Sequence, residues 1–123
     1  MKHLIFPIAL LLATSAAAQD YATRATDSLP DTAALSALIL DRDLIYFDDG
    51  TSRYSADGTY TWTYSKANGG GIWEGRHTIT DNIVCITFAT GMERCDMFVT
   101  SGDRLTLLTA DGDRYPIREI RVP

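Results

Sequence analysis

The chain has 123 residues, with eleven Lys/Arg against sixteen Asp/Glu, two cysteines and a formal net charge of −5. Such a length makes one domain with a core of useful size. The acidic balance excludes nucleic acid and anionic membrane surfaces as partners, because both demand clustered positive charge.

The first residues carry Lys2, an apolar stretch from Leu4 to Leu12 and small residues ending Ala16-Ala17-Ala18. This is the pattern of a secretory signal peptide over 1–18, cleaved after Ala18. The stretch is shorter than the roughly 20 residues of a membrane-spanning helix, and no later segment approaches that length, so no membrane insertion is expected. No cysteine stands near the cleavage site to take a lipid anchor. The expected location is periplasmic or secreted. Without the signal, ten Lys/Arg face sixteen Asp/Glu, a net charge of −6; nine of the ten are Arg, Lys66 being the exception. Arg enrichment points to carboxylate or phosphate recognition only where the residues converge on one site, and codon bias produces the same ratio.

From 19 to 29 the chain is polar and without periodicity, which predicts a loosely held N-terminal arm ahead of a single β-domain over 30–123. Ser28-Leu29-Pro30-Asp31 then offers a capping hydroxyl, a proline suited to a first turn and an early carboxylate. Leu35, Leu38 and Ile39 follow at helical spacing, predicting one short amphipathic helix from Thr32 to Leu40, its apolar stripe buried on the β-structure beyond.

After Asp41, turn signals recur at Asp49-Gly50, Asp57-Gly58, Asn68-Gly69-Gly70, Thr90-Gly91, Ser101-Gly102 and Asp111-Gly112. The runs between them predict strands at about 43–48, 51–55, 59–65, 71–79, 82–88, 94–100, 104–109 and 113–121. Connections this short leave no room for parallel crossovers, so the strands form an antiparallel meander. The fold class is mainly β: a small up-and-down barrel or strongly curled sheet, preceded by one short helix.

Thr59-Tyr60-Thr61-Trp62-Thr63-Tyr64 alternates strictly, placing Tyr60, Trp62 and Tyr64 on one face and the threonines on the other. With Trp73 they form a candidate ligand wall; in a small barrel such a row more commonly fills the interior. A three-residue turn at Ala89-Thr90-Gly91 sets Phe88 against Met92 and, in the same register, Cys85 opposite Cys95. A structural disulfide clamping one hairpin is expected, since a redox pair more often has Cys-x-x-Cys spacing at a helix start. Arg94, Arg104 and Arg114 recur every ten residues. Successive antiparallel strands place them at opposite ends, so they are read as charges flanking turns.

Catalytic chemistry has little to stand on. His77 lies in a strand-like run, there is no Gly-x-Ser-x-Gly elbow, and no family signature surrounds either cysteine. The pairs Asp41/Asp43, Asp48/Asp49 and Asp111/Asp113 sit in turns, where Asp is favoured for local hydrogen bonding. No metal, cofactor or catalytic residue is expected.

The string Tyr54-x-x-Asp57-Gly58-x-Tyr60, Gly71-x-Trp73, Cys85, Arg94-Cys95, Gly102 and Asp111-Gly112 resembles a group of small exported β-proteins of Gram-negative bacteria with a Gly-x-Trp strand and a paired-Cys hairpin. The resemblance covers about 31–115. It departs at Asp96, where that group often has an aromatic residue after the second Cys. It implies a lipocalin-like or curled β architecture and no particular activity. The functional expectation is a non-enzymatic exported binding or interaction module, whose partner is a protein or a small apolar ligand in the envelope. The alternatives are a periplasmic inhibitor of a lysozyme or protease, by analogy of size and export, and an envelope hydrolase built on scattered Asp, Glu74 and His77.

Overall fold

Eight short strands with tight turns leave two unpaired edges unless the last strand returns to the first, and here it does. The structure is a computed structural model that describes residues 21–123. The expected signal segment over 1–18 lies outside the described residues. The helix α1 (Thr32–Ile39) precedes β1 (Asp43–Tyr46), β2 (Thr51–Tyr54), β3 (Thr59–Thr63), β4 (Ile72–Thr80), β5 (Ile83–Phe88), β6 (Glu93–Ser101), β7 (Arg104–Leu108) and β8 (Arg114–Arg121). They make a closed antiparallel barrel in sequence order. β1 pairs with β8, with a register shift between Ile45 and Tyr46. Closure satisfies the edge hydrogen bonds that an open meander would present to other chains.

The helix stops one end of this barrel. Its N-cap is Asp31, whose carboxylate accepts from the Ala34 N–H at 2.8 Å, rather than the expected Ser28. Leu35 and Ile39 are wholly buried in one cluster with Leu44, Tyr54, Val84 and Phe98, whereas Leu38 is partly exposed. The Thr32 hydroxyl accepts from the Asp81 N–H at 2.7 Å and so ties the helix to the β4–β5 turn. The opposite end of the barrel is bounded by the β1–β2, β3–β4, β5–β6 and β7–β8 connections. The β3–β4 connection, marked in the sequence by Asn68-Gly69-Gly70, carries a short 3-10 turn (Lys66–Asn68) closed by Gly69.

Polarity and lack of periodicity predict a loosely held arm over 19–29, yet residues 21–29 are tied along the barrel wall. Ser28 and Thr100 exchange backbone hydrogen bonds of 2.7 and 2.9 Å. The Asp27 carboxylate takes two hydrogen bonds from Arg114 at 2.7 and 3.0 Å. Both partners lie more than seventy residues downstream, beyond the reach of a local reading.

The expected hairpin register is present. Phe88 N–H donates to the Met92 carbonyl at 2.8 Å, Gly91 takes φ 89° in the turn, and Cys85 pairs directly with Cys95. A disulfide joins them across a Cα–Cα distance of 4.0 Å. Strand alternation sends both cysteines to the outer face and their neighbours Val84, Ile86, Arg94 and Asp96 inward.

Candidate ligand cavity

The inner face of the barrel changes character along its axis. Toward α1 it is filled by Leu44, Tyr54, Val84 and Phe98, all wholly buried. Toward the other end the side chains no longer meet across the interior, leaving a cavity of about 800 Å³. That volume falls in the range of small-molecule sites.

All four residues of the sequence-predicted wall line this cavity: Tyr60, Trp62 and Tyr64 from β3 and the residue after it, and Trp73 from β4. Trp62 and Trp73 are cross-strand partners, and Tyr60 stands opposite Gly75. The expectation of a filled interior therefore holds only for the lower part of the row. Tyr60 is 2 % exposed, whereas Tyr64 and Trp73 are 39 and 42 % exposed at the mouth.

Four further aromatics line the cavity, Phe47 at the mouth and three in the wall. Tyr46 meets Trp62 edge-on with ring centroids 5.5 Å apart, Phe88 lies 5.9 Å from Tyr60 and 6.1 Å from Trp73, and Tyr115 closes the circle from β8. Edge-to-face contacts of this kind hold the rings in fixed orientations, so the wall is shaped before anything enters. Gly75 has a structural reason to lack a side chain: a Cβ there would stand 2.6 Å from the Thr87 carbonyl oxygen and 3.1 Å from the Phe88 Cα.

The floor is polar. Asp96 is 1 % exposed, and its Oδ2 accepts from Arg94 Nε at 2.9 Å. Oδ1 of Asp96 is buried and has no partner among the described residues; the same holds for the Tyr54 hydroxyl. Burial pushes the Asp96 carboxyl above its usual range, more strongly than the charge and hydrogen bond of Arg94 pull it down. Burial likewise raises the Tyr46, Tyr54 and Tyr60 hydroxyls far above the ordinary phenol range, so they stay neutral. Arg94 is surrounded by protein and still open to water, because its guanidinium faces the cavity. The mouth carries Asp48, Glu93, Asp111 and Asp113.

Sequence reasoning missed the Arg94–Asp96 pair, although the signal was available. Once Cys85 and Cys95 are set opposite each other on the outside, alternation alone turns Arg94 and Asp96 inward. Arg94 is thus no turn-flanking charge. Its ten-residue echoes do not join it: Arg114 binds Asp27, and Arg104 begins β7 at the other end of the barrel.

His77 and Glu74 stay apart. His77 Nε2 donates to the Ser55 carbonyl at 2.7 Å and its ring meets Tyr54 edge-on, below the cavity. Glu74 lies on the opposite alternation of β4, beside a shallow hollow with Ile72 and Thr90. Among the described residues no group of three or more His, Cys, Asp or Glu is placed to hold a metal ion. None of their helices is long and apolar enough to cross a membrane.

The helix, the eight-stranded closed meander and the disulfide hairpin match the architecture that the motif string implied. No protein-family model matches the chain, and neither the curated proteins nor the solved structures contain a significant match to it.

Proposed function

We propose that this protein is a non-enzymatic exported binding module that takes a small, largely apolar ligand into the open end of its barrel. The observation that carries this reading is the aromatic cavity of about 800 Å³ above a helix-stopped floor. Small-molecule sites are concave, largely apolar and few per protein, with a small number of placed polar groups. Rings already braced against one another lose little conformational freedom on binding. The signal-like segment over 1–18 and the disulfide support export, since disulfides persist in oxidising compartments.

A titration with N-phenyl-1-naphthylamine, a neutral apolar fluorophore, tests the cavity. Saturable emission enhancement at about one equivalent supports the reading, with at least a fivefold loss of affinity in Trp62→Ala. Absence of saturable binding overturns it.

A second reading, docking on an envelope protein as an inhibitor does, is favoured by one observation. Phe47 and Met92, each more than 60 % exposed, stand at the cavity mouth, and Ile72, equally exposed, lies on the outer face of β4 beside it. Exposed apolar groups clustered at one end of a small protein are the usual mark of a contact surface. Co-purification with an envelope protein that Phe47→Ser and Met92→Ser abolish would support it; a bare monomer in native mass spectrometry of host-isolated protein would count against it.

A further inference from the structure

Among the described residues the cavity is lined by one cation, Arg94, and that cation is only half used. Arg94 gives Nε–H to Asp96 Oδ2, while Nη1 and Nη2 have no partner among the described residues. A guanidinium presents its donors as a rigid planar fork, and the edge left open here is one that a carboxylate engages with two parallel hydrogen bonds. From the geometry of Arg94 we infer that the cavity ligand is a monocarboxylate with an apolar body, its carboxylate seated on Nη1 and Nη2 and its body against Trp62, Phe88 and Trp73. This rests on the cavity-binding reading above and adds to it the chemistry and orientation of the ligand.

Asp96 argues for a single negative charge. The Arg94–Asp96 pair is close to neutral as a unit, so the floor attracts through hydrogen bonds and a local dipole rather than through net positive charge. A dianionic phosphate would set twice the unbalanced negative charge of a monocarboxylate against this near-neutral floor and against buried Asp96. The mouth carboxylates stand in water, where their repulsion of an entering anion is strongly screened. Arg94 is half exposed toward the cavity yet flanked by protein, so a carboxylate seated on it is screened less than one at the mouth. Buried Asp96 also fixes the guanidinium, so the fork is oriented before the ligand arrives.

The experiment compares three probes of equal chain length, dodecanoate, dodecanol and dodecylammonium, by displacement of N-phenyl-1-naphthylamine at neutral pH. The expected order is dodecanoate at least tenfold tighter than dodecanol, with dodecylammonium weakest. Arg94→Gln should bring the dodecanoate to dodecanol ratio to near one. Arg94→Lys, which keeps the charge and loses the fork, should leave an intermediate ratio. Near-UV circular dichroism reports whether each variant retains its aromatic packing; should Arg94→Gln fail to fold, Arg94→Lys decides the ratio alone. Asp96→Asn should tighten dodecanoate and leave its ratio to dodecanol larger than in the parent.

A parent ratio near one overturns the inference, as does a ratio that survives Arg94→Gln, or tightest binding of dodecylammonium, which would make the mouth carboxylates decisive. In those cases the cavity still binds apolar molecules. If none of the three probes displaces the fluorophore, the cavity reading fails with it.

Discussion

Arg94 and Asp96, two residues apart on the inner face of β6, form a hydrogen-bonded ion pair in which the carboxylate is 1 % exposed while the guanidinium remains open to the cavity. The two charges therefore experience different surroundings. Burial penalises Asp96 more than Arg94 rewards it, and its carboxyl is raised as a result. The titratable groups near enough to interact with it are Arg94 on its own strand, the neutral tyrosines Tyr46, Tyr54 and Tyr60 of the interior, and Tyr21 from the N-terminal segment.

The pH dependence follows with a sign opposite to that of most carboxylates. A carboxyl raised on folding binds its proton more tightly in the native state. Its contribution to stability is fully present below the unfolded value of about 4 and is lost as pH rises through the folded value. Asp96→Asn removes that loss. In urea unfolding, the variant should gain on the parent as pH rises through this window. A difference that stays flat with pH would show that Arg94 fully compensates the buried charge.

Asp27 behaves in the opposite sense. Two hydrogen bonds from Arg114, then a backbone N–H from Arg24 and the charge of both arginines, hold its carboxyl below the usual range. Its stabilisation is present above an unfolded value of about 4 and disappears as pH falls through the lower folded value. Asp27→Asn should cost about 1–3 kcal/mol at neutral pH, the range for charge-assisted hydrogen bonds partly shielded from water. It should also expose the segment around Arg24 to trypsin, because Ala22 and Asp27 share Arg114 as their anchor. Unchanged cleavage at Arg24 would show that the Ser28–Thr100 bridge holds the segment by itself.

What was legible in the sequence was what local chemistry determines. Each Gly- or Asp-marked turn locates a strand end within about two residues, and the β5–β6 turn sets the register that joins Cys85 to Cys95. The aromatic row on β3 was legible because alternation declares a face. Which parts of that face are filled is a different kind of fact. It depends on α1 entering one end of the barrel and on Leu44, Tyr54 and Phe98 meeting there, contacts between distant elements that no run of residues encodes alone. The docking of 21–29 was hidden for the same reason. Its anchors, Thr100 and Arg114, look from sequence like ordinary strand and turn residues. Arg94 and Asp96 lie between these cases, implied by the disulfide register yet masked by the habit of placing charges outside.

Gly75 gives a test of the cavity wall that involves no charge. It pairs with Tyr60 on one side and Phe88 on the other, where the β5 backbone comes too close for any side chain. Gly75→Ala places a methyl against the Thr87 carbonyl and the Phe88 Cα, backbone atoms that cannot turn away as a side chain would. A loss of about 1–3 kcal/mol is expected from this overpacking, together with altered near-UV circular dichroism from the displaced Phe88 and its contacts with Tyr60 and Trp73. An unchanged unfolding midpoint would mean that β5 shifts without cost.

The disulfide should matter for stability and hardly at all for the cavity. It lies on the outer face of the β5–β6 hairpin and closes a loop with a sequence separation of ten, so the restriction it places on the unfolded chain is modest. Replacing both Cys85 and Cys95 by Ala should cost about 1–3 kcal/mol, below the figure of about 3 for a fifteen-residue loop plus whatever packing the sulfurs supply. The hairpin keeps its turn hydrogen bonds between Phe88 and Met92 and its pairing of Ile86 with Arg94, so the inward set of residues stays in place. The double variant should therefore unfold at lower urea yet bind N-phenyl-1-naphthylamine within about twofold of the parent. A larger loss of binding at full folding would mean that the bond holds Arg94 and Phe88 in position through the register, making the outer clamp part of the inner site.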